Sequence, residues 1–174
     1  MKKKFSLLFF FIFYNLVIIQ SNTNSEIIFK DDLKINLEKV VDGLDKPRSL
    51  SFIDKKNILF TEKSGKLFIL NLTLKEILEI KHNLLILEDG QGGLLDVLYY
   101  EDEIYISYSE NRGDRKTSTS VAKGKFNKKS IKFKNIFRAN PPIDSGYHFG
   151  SRLVIKGKHL YITAGERGKG MIAQ

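Results

Sequence analysis

The sequence predicts an all-β protein built from repeated four-stranded sheets. From Ile35 onward, short runs rich in Ile, Leu, Phe, Tyr and Val alternate with turns of Gly, Asn, Asp and Lys, which is typical of antiparallel strands. Similar strand pairs recur roughly every 50 residues, and no segment after residue 22 combines a helical period with helix caps. Together these observations indicate the blades of a β-propeller.

Three strand pairs define the repeat. They cover residues 50–53 with 58–63, 94–99 with 104–109, and 153–155 with 160–165. The second strands begin at residues 58, 104 and 160, so the spacings are 46 and 56 residues. Four further strands complete the first two units, at 66–71, 76–80, 120–126 and 131–137. Residues 72–86 have the apolar content of a helix, but they fit a strand, a turn and a second strand equally well.

We therefore expect about two and a half blades of antiparallel sheet over residues 35–174, preceded by a loose lead-in at 22–34. Residues 35–41 form a spare strand of the kind that closes a propeller ring by joining the last blade. Closed propellers need at least about four blades, and a shorter stack leaves apolar sheet faces in water. We expect the domain to be truncated at its C-terminal end; a small, complete β-sandwich is the alternative.

The N-terminus predicts export. Residues 1–21 begin with Lys2, Lys3 and Lys4 and continue into an apolar run over 5–19. That run is short for a bilayer span and suits the hydrophobic region of a secretory signal peptide. Because Ser21 is the only small residue at the cleavage region, an uncleaved membrane anchor is the alternative. We expect the protein to be periplasmic or secreted.

Composition narrows the function classes. Hydrophobic residues at 42% and charged residues at 28% are typical of a globular protein. Three of the 29 basic residues lie in 1–21, and the other 26 exceed the 20 acidic residues by six. They are scattered along the chain and form no basic stripe, so we expect no nucleic-acid partner. The chain has no cysteine, which excludes disulfides, thiolate metal sites and a thiol nucleophile.

Two glycine-rich segments are candidate ligand-binding loops. Residues 88–96 read EDGQGGLLD, in which glycines permit close backbone approach to a ligand and Gln91 offers a donor and an acceptor. Residues 145–152 read SGYHFGSR, and His148 precedes a first strand there, so it should lie near the propeller axis. Imidazole can accept a proton at neutral pH. The alternatives are a plain inter-blade turn for Gln91 and a structural role for His148.

Two charged residues close to His148 have open roles. Arg152 can pair with an inter-blade carboxylate or face the cavity, and we favour the structural role. Glu166 lies in the GERG loop at 165–168, where it can bridge to Arg167 or help to ligate a metal. One carboxylate without partners is weak evidence for a metal, so we assign no metal ligand in this chain.

Five segments in order resemble a known family. VVDGLDKPRSLSF, FTEKSGKLFIL, DGQGGLLDV, HFGSRLV and LYITAGERG, from Val40 to the C-terminal end, are similar to the soluble quinone-dependent aldose and glucose/sorbosone dehydrogenases. The resemblance implies a six-bladed propeller with pyrroloquinoline quinone (PQQ) and Ca²⁺ at its axial pocket. It implies that His148 is the general base and that Gln91 lies near cofactor and sugar. The basic cofactor-binding residues and calcium ligands of the family belong to later blades.

The resemblance implies oxidation of an aldose to its lactone, with hydride transfer to the quinone, and a piece of this length is expected to be inactive alone. The chain departs from the family pattern at Arg48, where many relatives carry an aromatic residue after the proline; we expect this to affect packing more than catalysis. A non-catalytic propeller used for binding or as a scaffold, exported or membrane-tethered, is the alternative, because fold alone does not specify activity.

Overall fold

The computed structural model describes residues 25–30 and 33–172, and the chain divides into two compact units, residues 1–39 and 40–174. In the first unit, β1 (Ser25–Lys30) and β2 (Leu33–Glu38) form an antiparallel hairpin. The predicted loose lead-in therefore contains a strand, and β2 ends at Glu38, earlier than the predicted strand at 35–41. The predicted signal segment at 1–21 lies outside the described residues. Within the described ranges, no helix is long and apolar enough to cross a membrane.

The second unit consists of successive antiparallel sheets. The first blade contains β3 (Pro47–Phe52), β4 (Asn57–Glu62), β5 (Leu67–Asn71) and β6 (Glu76–His82). The second contains β7 (Leu94–Tyr100), β8 (Glu103–Asn111), β9 (Thr117–Lys125) and β11 (Lys134–Arg138). The third contains β12 (Gly150–Lys156) and β13 (His159–Ala164), and a short 3-10 turn follows at Gly170–Ile172. The predicted all-β architecture is confirmed, and residues 72–75 form a turn between β5 and β6.

One predicted strand is divided between two blades. The segment expected as a single strand at 131–137 begins with β10 (Ser130–Ile131), which pairs in parallel with β6 of the first blade. Of this segment, only β11 pairs with β9 of the second blade. Asn83 holds the crossing segment, because it accepts from the Phe133 amide at 2.7 Å and donates to the Phe133 carbonyl at 3.1 Å. Burial of Ile131 and Phe133 stabilises this crossing.

The hydrophobic core lies between the first and second blades. Its members come from β4, β5 and β6 on one side and from β7, β8, β9 and the crossing segment on the other: Leu59, Leu67, Ile69, Ile80, Leu94, Val97, Ile104, Ile106, Tyr108, Ala122, Ile131 and Phe133. Each fully buried aliphatic side chain contributes roughly 1.5–3 kcal/mol. Stacking two sheets therefore buries faces that a single blade would expose.

A repeated hydroxyl links each blade to the next. Thr61 Oγ1 donates to the Leu95 carbonyl at 3.0 Å, and Ser107 Oγ donates to the Ser151 carbonyl at 2.7 Å. Ser107 follows Thr61 by 46 residues, and Ser151 follows Leu95 by 56, so donors and acceptors keep the spacings of the sequence repeat. Thr163 occupies the corresponding position in the third blade and is exposed. The sequence period thus corresponds to a repeated contact between blades.

Glu110 is a buried carboxylate in the second blade. It accepts hydrogen bonds from Arg138 Nε at 2.8 Å, Ser120 Oγ at 2.7 Å and Asn135 Nδ2 at 2.9 Å. Burial opposes its ionisation, but the hydrogen bonds from Arg138 and Ser120 outweigh burial and lower the pKa of the Glu110 carboxyl. A lowered pKa means that this carboxylate stabilises the fold above its unfolded pKa and loses that contribution as pH falls through the folded pKa.

We expect Glu110→Gln to lower the free energy of unfolding at neutral pH by about 2 kcal/mol, because it removes charge-assisted hydrogen bonds from a buried site. The loss should shrink as pH falls through the lowered pKa of Glu110, where the native carboxylate also takes up a proton. Urea unfolding from pH 7 to pH 3 measures this. The control is Glu79→Gln, an exposed pair with Lys81, which should change stability by less than about 1 kcal/mol. Equal losses for both variants would contradict the assignment.

Candidate active site

A pocket of about 370 Å³ lies where the first strands of the three blades begin. Its walls come from the N-terminal ends of β3, β7 and β12 and from the loops before β7 and β12: Arg48, Gln91, Leu95, Asp96, His148, Phe149, Gly150, Ser151 and Arg152. The two residues singled out from the sequence, Gln91 and His148, therefore line the same pocket although 57 residues separate them.

The two glycine-rich loops are in direct backbone contact. The backbone amide of Gln91 donates a hydrogen bond to the Gly146 carbonyl at 2.6 Å. A Cβ on Gly90 would lie 2.5 Å from the same oxygen, and Gly90 has a positive φ of 53°. Only glycine fits this approach. The sequence suggested that these glycines let the backbone approach a ligand, whereas in the structure they let one loop approach the other.

Gln91 fixes the backbone of His148. Its Oε1 accepts a hydrogen bond from the His148 amide at 2.9 Å. His148 has a φ of 46°, a left-handed conformation that is uncommon for residues other than glycine. The His148 carbonyl accepts from the Arg167 amide at 3.3 Å, so the residue is held on both sides of its peptide. Backbone strain of this kind is common where a side chain is positioned for function.

The His148 ring is oriented by Glu166. Nδ1 of His148 and Oε1 of Glu166 form a hydrogen bond, and this bond lowers the pKa of the Glu166 carboxyl. Within the described part of the chain, no hydrogen-bond partner contacts Nε2 of His148. A carboxylate that accepts from Nδ1–H leaves Nε2 as the proton acceptor of the ring. The pair can therefore remove a proton from a ligand in the pocket.

Arg167 is buried and does not bridge to Glu166, which corrects one role suggested for the GERG loop. Its guanidinium donates to the carbonyl of Tyr147 at 2.9 Å, that of Thr117 at 3.0 Å and that of Ser145. It lies 3.7 Å from the ring centre of Phe149. Burial lowers the pKa of Arg167. No local pattern indicates this burial, because arginine in a glycine-flanked loop is ordinarily exposed.

Asp96 joins the three first strands. It is only 6% exposed. Its carboxylate accepts from Ser49 Oγ of β3 at 2.5 Å, from the Leu153 amide of β12 at 2.8 Å and from Arg152 at 2.9 Å. Arg152 thus takes both of the roles left open for it, since it pairs with an inter-blade carboxylate and also lines the pocket. Residues 25–30 and 33–172 contain no group of three His, Cys, Asp or Glu side chains that could hold a metal ion.

Stacked four-stranded blades with a histidine–carboxylate pair at the first-strand ends define a β-propeller protein with a candidate acid–base site. More specifically, the chain belongs to the glucose/sorbosone dehydrogenase family, whose model matches residues 44–174.

Individual relatives agree with this assignment. The chain is 35% identical over 156 residues to the aldose sugar dehydrogenase YliI of Escherichia coli, covering 80% of this chain and 40% of that protein. A solved glucose dehydrogenase is 31% identical with a TM-score of 0.72, covering 78% of this chain and 45% of the other. The PQQ-bound aldose sugar dehydrogenase of Streptomyces coelicolor shares the fold at 18% identity and a TM-score of 0.66, covering 84% and 44%. The chain thus spans less than half the length of these relatives.

We expect Asp96→Asn to lower the free energy of unfolding by about 2 kcal/mol, because an amide cannot accept hydrogen bonds on both sides as the buried carboxylate does. Denaturant unfolding measures the change. The matched control is Arg152→Gln, whose side chain is 68% exposed and whose loss should cost less than about 1 kcal/mol. If Arg152→Gln lowers the free energy of unfolding as much as Asp96→Asn does, the Asp96–Arg152 ion pair accounts for the loss of stability and the inter-strand hydrogen bonds do not.

Proposed function

We propose that the protein oxidises aldose sugars to lactones with PQQ as the cofactor that accepts the hydride and His148 as the general base. The observation that carries this proposal is the His148–Glu166 pair at the pocket, with Nε2 of His148 available to a ligand. Membership of the glucose/sorbosone dehydrogenase family supports the reaction class. Export to the periplasm or the exterior is part of the proposal and rests on the basic and apolar segment at residues 1–21.

His148 performs the proton step. Nε2 accepts the proton of the anomeric hydroxyl, and the negative charge of Glu166 stabilises the imidazolium that forms. When bound, PQQ would supply the acceptor for the hydride that leaves the anomeric carbon. Together with the hydroxyl proton taken by His148, two electrons and two protons then leave the sugar, and a lactone results. Gln91 holds the His148 backbone in place while this occurs. The protein thus contributes position and polarity, and the redox chemistry belongs to the cofactor.

The donor set of the pocket fits a quinone. Gln91 uses its amide oxygen for His148, which leaves the amide nitrogen to donate to a quinone or sugar oxygen. The solved Streptomyces coelicolor relative is a PQQ-bound form, which supports the same cofactor class. The described residues include no group of three His, Cys, Asp or Glu side chains that could hold a metal ion, and we assign no step to Ca²⁺.

Reconstitution of the full reading frame with PQQ and Ca²⁺, followed by dye reduction with several aldoses, tests the proposal. We expect His148→Gln to lower kcat/KM by at least about 100-fold while PQQ binding persists, because general-base catalysis is lost. The control is His159→Gln, since His159 is exposed at the turn of the β12–β13 hairpin. Full activity of His148→Gln with quinone bound would show that another group is the base. Absence of aldose oxidation by the native protein would favour a non-catalytic propeller.

We expect Glu166→Gln to lower kcat/KM by about 10- to 100-fold with little change in quinone affinity, because glutamine keeps the size of the side chain but not the charge that supports the imidazolium. Glu166→Asp, which keeps the charge, should recover part of the loss. Since the pKa of Glu166 is lowered, its carboxylate stays charged at pH values below the usual pKa range of glutamate. The His148–Glu166 pair of the native protein should therefore persist at pH 5. The pH dependence of kcat/KM in the three proteins measures this, and identical profiles would refute the role.

A further inference from the structure

Arg48 places an unneutralised positive charge on the wall of the His148 pocket. Arg48 is exposed and lines the pocket. Among the described residues, its guanidinium makes one hydrogen bond, from NH2 to the Gln91 carbonyl at 2.6 Å, and no carboxylate lies within 4.0 Å of it. A backbone carbonyl orients the guanidinium but does not cancel its charge.

The acidic groups around the pocket already have partners. Asp96 accepts from Arg152 and from the β3 and β12 strands, and Glu166 accepts from His148. Glu88 lies 3.3 Å from Lys46 and 3.6 Å from Lys63. The described rim of the pocket is therefore positively charged, and such a rim attracts anions.

Gln91 connects Arg48 to the base. Its carbonyl accepts from Arg48, and its side chain accepts from the His148 amide. Gln91 alone therefore links the Arg48 guanidinium to the loop that carries His148. With only one donor in use, the rest of its planar fork remains available, and that fork matches a carboxylate through two parallel hydrogen bonds.

We propose that Arg48 is a carboxylate-binding group of the His148 pocket. Two ligands of the proposed function can supply the carboxylate: the quinone cofactor, which carries three, and an acidic aldose such as a hexuronic acid. The inference rests on the proposed function for the identity of these ligands. The position and charge of Arg48 stand independently of it.

Titration calorimetry on the full-length protein distinguishes the two sources. The probes are PQQ, D-glucuronate and the neutral sugar D-glucose, and the variants are Arg48→Gln and Arg48→Lys. We expect Arg48→Gln to weaken binding of the carboxylate-bearing ligand by about tenfold and glucose binding by less than about twofold. Arg48→Lys, which keeps the charge but not the fork, should fall between native and Arg48→Gln. The control Lys128→Gln removes the same charge beside Asn57 and Asn71, at the end of β4 remote from the pocket.

Each outcome has a definite meaning. Weakened glucuronate binding with unchanged PQQ binding assigns the carboxylate to the substrate, and weakened PQQ binding assigns it to the cofactor. If Arg48→Gln alters neither, if Lys128→Gln has an equal effect, or if the native protein binds neither carboxylate ligand, the proposal is overturned. Failure of the proposed function has a different signature: native protein saturated with PQQ would reduce no dye with any aldose, neutral or acidic.

Discussion

Asp96 is the residue through which the three described blades meet. A carboxylate that is 6% exposed must have its hydrogen bonds satisfied, and its partners come from β3 and β12 while Asp96 itself lies on β7. This requirement fixes the relative positions of the three first strands. The pocket is lined by the ends of the same strands, so the shape of the candidate site depends on a buried carboxylate that does not itself need to take part in the chemistry.

His148 is held by two loops, and the loops are held by backbone contacts. Gly90 and Gly146 let the two loops touch, and Gln91 accepts a hydrogen bond from the His148 amide. The buried Arg167 donates to the Ser145 and Tyr147 carbonyls of the same loop. A left-handed histidine is unfavourable in isolation, so these contacts are needed to maintain it. Arg167 is solvated by peptide carbonyls in place of water, which explains how a cation with no carboxylate partner among the described residues can be buried there.

The blade repeat positions the site as well as the core. Thr61 and Ser107 make the same bond from one blade to the next, and this bond aligns successive first strands so that the loops preceding β7 and β12 lie side by side. This chain matches less than half the length of each of these family relatives. This chain contains the proposed base His148, its carboxylate partner Glu166 and Arg48.

The sequence by itself determined the all-β repeat, the strand pairs and the two loops containing Gln91 and His148, because alternation and turn residues are local signals. Only the tertiary structure decided that β10 crosses to the first blade, that Arg167 is buried and that Asp96 joins three strands, since those partners lie up to 57 residues apart. The His148–Glu166 pair is intermediate. The open ends of an antiparallel hairpin must be adjacent, so β12 and β13 predict that these loops meet, but which side chains bond depends on packing that spacing alone does not specify.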